Sequence, residues 1–246
     1  VSNCIIRGNH SVGGGGGVYG GMIERCEISG NSTDGTRGGG ALNAVLRNCL
    51  LRDNIAAYAG GGVAWVEAEA CTIVANTAPS YAGGAEQSWL RNCIVYGNSS
   101  PGWPPDYQGG SWSHCCADPA PAGDGNIAGP PLFVNAAGGD YRLQVGSPCA
   151  DTGATQPWMA DAVDLAGVPR VLNGGVDMGA YEFYGQPAVA ITNAPPMVYG
   201  EQDAFTFRGT ANPYVVGMMA WSVEQPPASG SLPAASSWSA ENVPLA

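Results

Sequence analysis

A cysteine followed five positions later by an asparagine recurs through the first hundred residues, in the phrases SNCIIRGN, ERCEISGN, RNCLLRDN, EACTIVAN and RNCIVYGN. The cysteines Cys4, Cys26, Cys49, Cys71 and Cys93 are separated by 22, 23, 22 and 22 residues. A period of this length is the signature of a stacked repeat, because a unit so short cannot bury its own apolar face. Two positions after each cysteine stand Ile6, Ile28, Leu51, Ile73 and Val95, and three before it stand Val1, Ile23, Leu46, Ala68 and Leu90. Further upstream come the glycine pairs Gly16–Gly17, Gly39–Gly40, Gly61–Gly62 and Gly83–Gly84, each followed by a small apolar residue (Val18, Ala41, Val63, Ala85). Each unit reads as glycine turn, short strand, bend, short β-branched strand and asparagine turn, with nothing of helical period.

Stacking such units in parallel at about 4.8 Å piles like on like. The expected fold is all-β: a parallel β-helix, the right-handed three-faced form being the first choice. A leucine-rich repeat shares the period but needs several leucines per unit. Asn9, Asn31, Asn54, Asn76 and Asn98 should form a ladder of side-chain amides, and Cys4, Cys26, Cys49, Cys71 and Cys93 a column of small apolar side chains. Glu24, Arg47, Glu69 and Arg91 alternate in sign two positions before the cysteines, as neighbouring strands on one face require. No metal is expected in the thiol column, because four-sulfur sites need tetrahedral convergence. Disulfides along it are disfavoured by parallel Cβ vectors.

The chain has 246 residues, 38 of them glycine, with nine Arg, no Lys and a net charge of −11. Such acidity argues against nucleic acid as a partner, and no apolar run approaches the roughly 20 residues that span a bilayer. Val1 opens inside the repeat pattern, so the chain reads as part of a longer multidomain protein.

Cys115 lies 22 residues after Cys93 and should belong to one last coil, after which the pattern dissolves. Coils are expected over 1–130 and an irregular cap closing the stack over 131–186. The stretches GNIAGPPLFVNAAGGDYRLQVGSPCADTGA (125–154) and VDLAGVPRVLNGGVDMGAYEF (163–183) resemble the C-terminal part of bacterial right-handed β-helix surface proteins of the choice-of-anchor Q type. The resemblance spans roughly residues 1–184 and implies a secreted or cell-envelope location without a defined activity. Residues 187–246 carry short β runs between Pro, Gly and Ser turns and resemble a partial immunoglobulin-like module.

An enzymatic reading needs carboxylates facing one sugar. In the regular coils the aspartates are Asp34 and Asp53, in unlike columns; the histidines, His10 and His114, are far apart; and no Ser/His/Asp arrangement is legible. No catalytic residue is therefore assigned and no cofactor expected. Tyr58, Tyr81, Trp65, Trp89, Trp103, Tyr107 and Trp112 lie in or near turns and late coils. They are candidates to stack on the sugars of a polysaccharide or host glycan, or to fill corners and the cap. Asp164, Asp177 and Glu182, with Arg170, read as ion pairs of the cap rather than a calcium site. Cys149 is a candidate to form a disulfide with Cys116 or Cys115. The expected function is a surface scaffold or adhesin-like protein; the alternative is a polysaccharide-processing enzyme, pectate lyase-like or glycoside hydrolase-like, or a non-catalytic part of one.

Overall fold

The computed structural model describes residues 1–35, 37–101, 104–172 and 174–184, together with the backbone of Ala220–Trp221 and Ala240–Glu241. Two compact units divide the chain, Val1–Gly185 and Gln186–Ala246. In the second, Ala220–Trp221 pairs antiparallel with Ala240–Glu241; the rest of the expected immunoglobulin-like module lies outside the described residues.

The first unit is a parallel β-solenoid of about five turns; the first three turns each contribute four very short strands and the next two contribute three. The first sheet stacks Ile5–Arg7, Glu27–Ser29, Leu50–Arg52, Thr72–Val74 and Ile94–Tyr96. The second stacks His10–Ser11, Ser32–Thr33 and Ile55–Ala56. The third stacks Val18–Tyr19, Ala41–Leu42, Val63–Ala64, Ala85–Glu86 and Tyr107–Gln108. The fourth stacks Met22–Glu24, Val45–Arg47, Glu67–Glu69, Trp89–Arg91 and Ser111–Ser113. The registers match the repeat: Ile6 pairs with Ile28, Ile28 with Leu51, and Leu46 with Ala68. Because side chains alternate across a strand, these columns all enter one continuous core with Cys26, Cys49, Cys71, Cys93 and Cys115.

Left-handed backbone turns the corners. Gly8, Gly30, Asp53, Ala75 and Gly97 have φ of 67, 60, 57, 53 and 69°, and Asn3, Arg25, Asn48, Ala70, Asn92 and His114 fall between 49 and 55°. Asn and Gly suit these positions; an alanine there costs roughly 1–2 kcal/mol, which the stacking on both sides must offset. The glycine pairs answer to a different need. A Cβ on Gly39 would stand 2.4 Å from the carbonyl oxygen of Gly61, and one on Gly61 would stand 2.5 Å from that of Gly83. Successive coils touch backbone to backbone there, so the column admits no side chain.

The asparagine ladder is continuous. The Asn31 side-chain amide donates to Asn54 Oδ1 (3.0 Å) and to the Ile6 carbonyl (2.9 Å), and Asn54 does the same to Asn76 Oδ1 (2.9 Å) and Ile28 (2.9 Å). Asn98 ends the series by donating to Asp106 Oδ1 at 2.8 Å, so a buried carboxylate supplies the acceptor where the next asparagine would stand. Burial pushes the Asp106 pKa upward.

Residues 131–184 depart from the expected closure of the stack's end. They lie along its side, over the outward face of the first sheet. Leu50 and Val74 pack with Phe133, Tyr141, Leu165 and Tyr181; Ile94 and Cys116 pack with Leu143, Cys149 and Met178. Thr72 Oγ1 accepts from the Ala180 N–H (2.9 Å), and the side chains of Asn48 and Asn92 donate to the carbonyls of Val163 (3.1 Å) and Ala154 (2.8 Å). The last coil is covered by the loop that follows it: Ile127 bridges Cys116, and Asn126 accepts from the Cys115 N–H while donating to the Trp112 carbonyl. The disulfide expected at Cys149 is not formed. All eight cysteines are free, and Cys149 sits beside Cys116 in an apolar cluster, the neighbouring sulfur and burial raising its pKa. Among the described residues no helix is long and apolar enough to cross a membrane.

Candidate functional site

On the outer side of the third sheet, over the buried outward positions Leu42, Ala64 and Glu86, five side chains from three successive coils meet. Parallel bridges stack Arg37 on Ala59 and Ala59 on Tyr81, which places Tyr58 and Tyr81 on adjacent turns. Their rings meet edge to face at 5.2 Å. The Arg37 guanidinium lies 5.3 Å from the Tyr58 ring and 5.1 Å from that of Trp65. Arg37 Nε is 2.9 Å from both oxygens of Glu86, with hydrogen-bond geometry to Oε1. Glu86 is only 3% exposed, and among the described residues its Oε2 accepts no hydrogen bond.

Each position has a local cause. Trp65 stands at a left-handed corner, φ 52°, in the column of Gly20, Asn43, Gln87 and Gly109. Its side chain is thereby thrown outward rather than into the core, 42% exposed beside Tyr58 at 40%. Glu86 occupies an outward position of the third sheet, where Leu42 and Ala64 precede it in register. The hydrogen bond to Glu86 strengthens the hold of Arg37 on its proton. A hydrogen bond to Tyr58 pushes the Tyr81 phenol upward. Two half-exposed rings beside a fixed ion pair can contact a flat polar ligand while the ion pair bonds its hydroxyls.

The other aromatic candidates divide. Trp89 is 59% exposed on the fourth sheet, in register with Glu67 rather than with the cluster. Tyr107 packs on Trp112 with centroids 4.9 Å apart, and Trp112 is buried, its indole N–H donating to the Gly109 carbonyl at 3.0 Å. Trp103 lies outside the described residues. Arg37 and Glu86 were missed in the sequence because they are 49 residues apart and belong to no repeated column of charge.

One arrangement thought absent from the sequence is present. His10 bridges Ser32 Oγ (3.0 Å from Nδ1) and Asp34 Oδ2 (3.2 Å from Nε2). The backbone N–H groups of Ser32 and Asp34 are spent on the carbonyls of Asn9 and Ser11, so neither can stabilise an oxyanion. With side-chain exposures of 52% for His10 and 74% for Asp34, this trio is a solvated brace between two coils.

The charge ladder is partly realised. Glu69 meets Arg47 at 3.1 Å and Arg91 at 3.7 Å, while Glu24 and Arg47 share register with no ion pair among the described residues. Its solvent face is shared with the flank segment: Trp158 lies 5.0 Å from the Arg47 guanidinium, and Gln156 accepts from Arg91 at 2.8 Å.

Asp164, Asp177 and Glu182 surround Arg170, which is fully buried and bonds the carbonyls of Gly179 and Asp177 and the Glu182 carboxylate (3.0 Å). Asp164 accepts from the backbone N–H groups of Ala166, Val168 and Glu182; Asp177 accepts from Asp151 and Phe183. These oxygens are engaged in holding the segment's own turns. Three buried carboxylates outnumber one guanidinium, and burial pushes Asp177 up to about 6 and Glu182 up to about 8. Among the described residues no three His, Cys, Asp or Glu side chains are grouped so as to hold a metal ion. No family, curated protein or solved structure matches the chain.

Proposed function

We propose that the chain is part of a secreted or cell-surface bacterial protein, a right-handed β-helix of the choice-of-anchor Q type, that binds a neutral polysaccharide on the face built by Arg37, Tyr58, Trp65, Tyr81 and Glu86. The observation that carries this reading is the pair of exposed rings, Tyr58 and Trp65, fixed on either side of a guanidinium whose carboxylate partner is buried. Rings held in place lose little conformational entropy on contact with a sugar. A net charge of −11 disfavours polyanionic glycans and leaves neutral ones. Rows of repeated coils give such a protein length and stiffness, as a surface scaffold needs. The cell-surface assignment draws on the residues at 125–154 and 163–183 that carry the resemblance.

The test is a screen of neutral and acidic plant and host glycans, read by affinity electrophoresis and tryptophan fluorescence. A neutral glycan should be retained, and Trp65→Ala and Tyr58→Ala should each weaken retention at least about tenfold. Retention unchanged in both variants, or binding confined to acidic glycans, would sink the proposal. Release of reducing ends above a heat-killed control would move the reading to the polysaccharide-processing alternative.

A further inference from the structure

The corner that carries Trp65 leads on to a second exposed tryptophan in the fourth sheet. We infer that Trp89 is a further sugar-stacking position, and that the ligand is an unbranched neutral β-linked glycan crossing the edge between the third and fourth sheets over Trp65, Glu67, Gln87 and Trp89. The inference rests on the proposed reading of the Arg37 face as a glycan site; it adds the class of glycan and the course of the chain.

Register places the four side chains. Ala64 is opposite Glu86 and Glu67 is opposite Trp89. Both coils carry two residues between those positions, so Trp65 is opposite Gln87 and Val66 is opposite Ser88. Val66 and Ser88 are buried, while Trp65, Glu67, Gln87 and Trp89 are all exposed. The alternation of a strand is thus carried through the corner. The outward positions form a patch on two adjacent coils about 4.8 Å apart, with the tryptophans on one diagonal and the polar pair on the other.

The backbone under the patch is fixed. The Trp65 N–H donates to the Glu86 carbonyl (3.0 Å) and the Trp89 N–H to the Val66 carbonyl (2.9 Å). Between them Ser88 Oγ accepts from the Val66 N–H (3.2 Å) and donates to the Glu86 carbonyl (2.8 Å). Positions held in this way lose little freedom when a ligand settles on them. Trp65 shares its left-handed corner column with Gly20, Asn43 and Gly109. Glycine and asparagine suit that backbone and a bulky ring does not, so the turn itself gives no reason for an indole.

The polar pair complements a sugar edge. Among the described residues the side chains of Glu67 and Gln87 make no hydrogen bond or ion pair. The Gln87 amide extends over the next coil, where a Cβ on Gly109 would stand 2.4 Å from its Nε2, and so away from Trp65. A carboxylate accepts from hydroxyls, and an amide both donates and accepts. β-Linked hexoses carry equatorial hydroxyls along their edges and flat apolar faces that stack on indoles. An exposed carboxylate between the rings disfavours a uronate at this place.

The experiment titrates the 246-residue chain with cello- and manno-oligosaccharides from dimer to hexamer, read by calorimetry and tryptophan fluorescence. Affinity should rise with length and level off once one chain covers both indoles. Trp89→Ala should weaken the hexamer about tenfold or more and leave the dimer within about twofold. Trp89→Phe should recover most of that loss, and Trp65→Ala should weaken both lengths. Trp89→Ala should melt with the parent, because the ring is 59% exposed; lost length dependence then reports contact. A hexamer bound alike by parent and Trp89→Ala, or affinity flat from dimer to hexamer, would overturn the inference and leave the Arg37 face a glycan site. So would no binding at any length while another neutral glycan is retained in the screen. No binding together with an empty screen would overturn the reading of the Arg37 face and this inference with it.

Discussion

The first and third sheets belong to the same coils yet meet different surroundings. Over the first sheet lie residues 131–184, and its outward positions are buried where they are covered: Leu50, Thr72 and Ile94 are buried, whereas Ile5 in the same column is 68% exposed. The outer side of the third sheet carries instead an ion pair flanked by rings. A solenoid's interior follows one rule at every coil, but its exterior is written locally, by whatever lies against each face. The segment over the first sheet supplies stability, and the half-exposed rings over the third are available for contact.

Removing the ion that organises the covering segment should break this contrast most severely. Arg170→Ala leaves Asp177 and Glu182 without their buried cation, a loss of roughly 3–5 kcal/mol. Thermal melts should fall, and proteolysis should cut 131–184 while the solenoid core persists. A melt unchanged by Arg170→Ala would mean the segment contributes nothing.

Next comes pH. Asp177 and Glu182 have ordinary values of 3.8 and 4.5 and are raised on folding to about 6 and about 8. The folded state therefore keeps protons that the unfolded chain sheds near pH 4. Their contribution is full below that pH and is lost progressively as pH rises to about 8, Asp177 alone accounting for on the order of 3 kcal/mol. Melting temperature followed from pH 4 to 8.5 should decline, and Glu182→Gln should flatten the curve.

A single column then sharpens the comparison. Ile94→Ala, under Leu143 and Met178, should cost roughly 2–3 kcal/mol. Ile5→Ala, at the uncovered end of the same sheet, should stay within about 0.5 kcal/mol. Equal denaturation midpoints would erase the distinction between covered and uncovered coils. The smallest effect belongs to the half-exposed rings: Trp65→Ala should change stability by less than about 0.5 kcal/mol, so that any loss of glycan retention reports contact rather than folding. A melt lowered by several degrees would make Trp65 a structural residue.

The repeat itself was legible before any coordinates. A 22-residue period stacked in parallel forces equivalent residues into one column, so the core line from Ile28 to Val95, the thiol column and the asparagine ladder follow from spacing alone. The left-handed corners were only half visible: Asn and Gly mark some of them, while Trp65, Ala70 and Ala75 adopt the same φ because neighbouring coils impose it. What lies outside the repeat rule was decided by the tertiary structure. Arg37 reaches Glu86 across two coils, His10 finds Ser32 and Asp34 one coil away, and 131–184 settles on the flank. The physical reason is that an inward side chain has one possible environment, the same residue of the next coil. An outward one takes its partners from any segment the chain folds against it, and period carries no information about that segment.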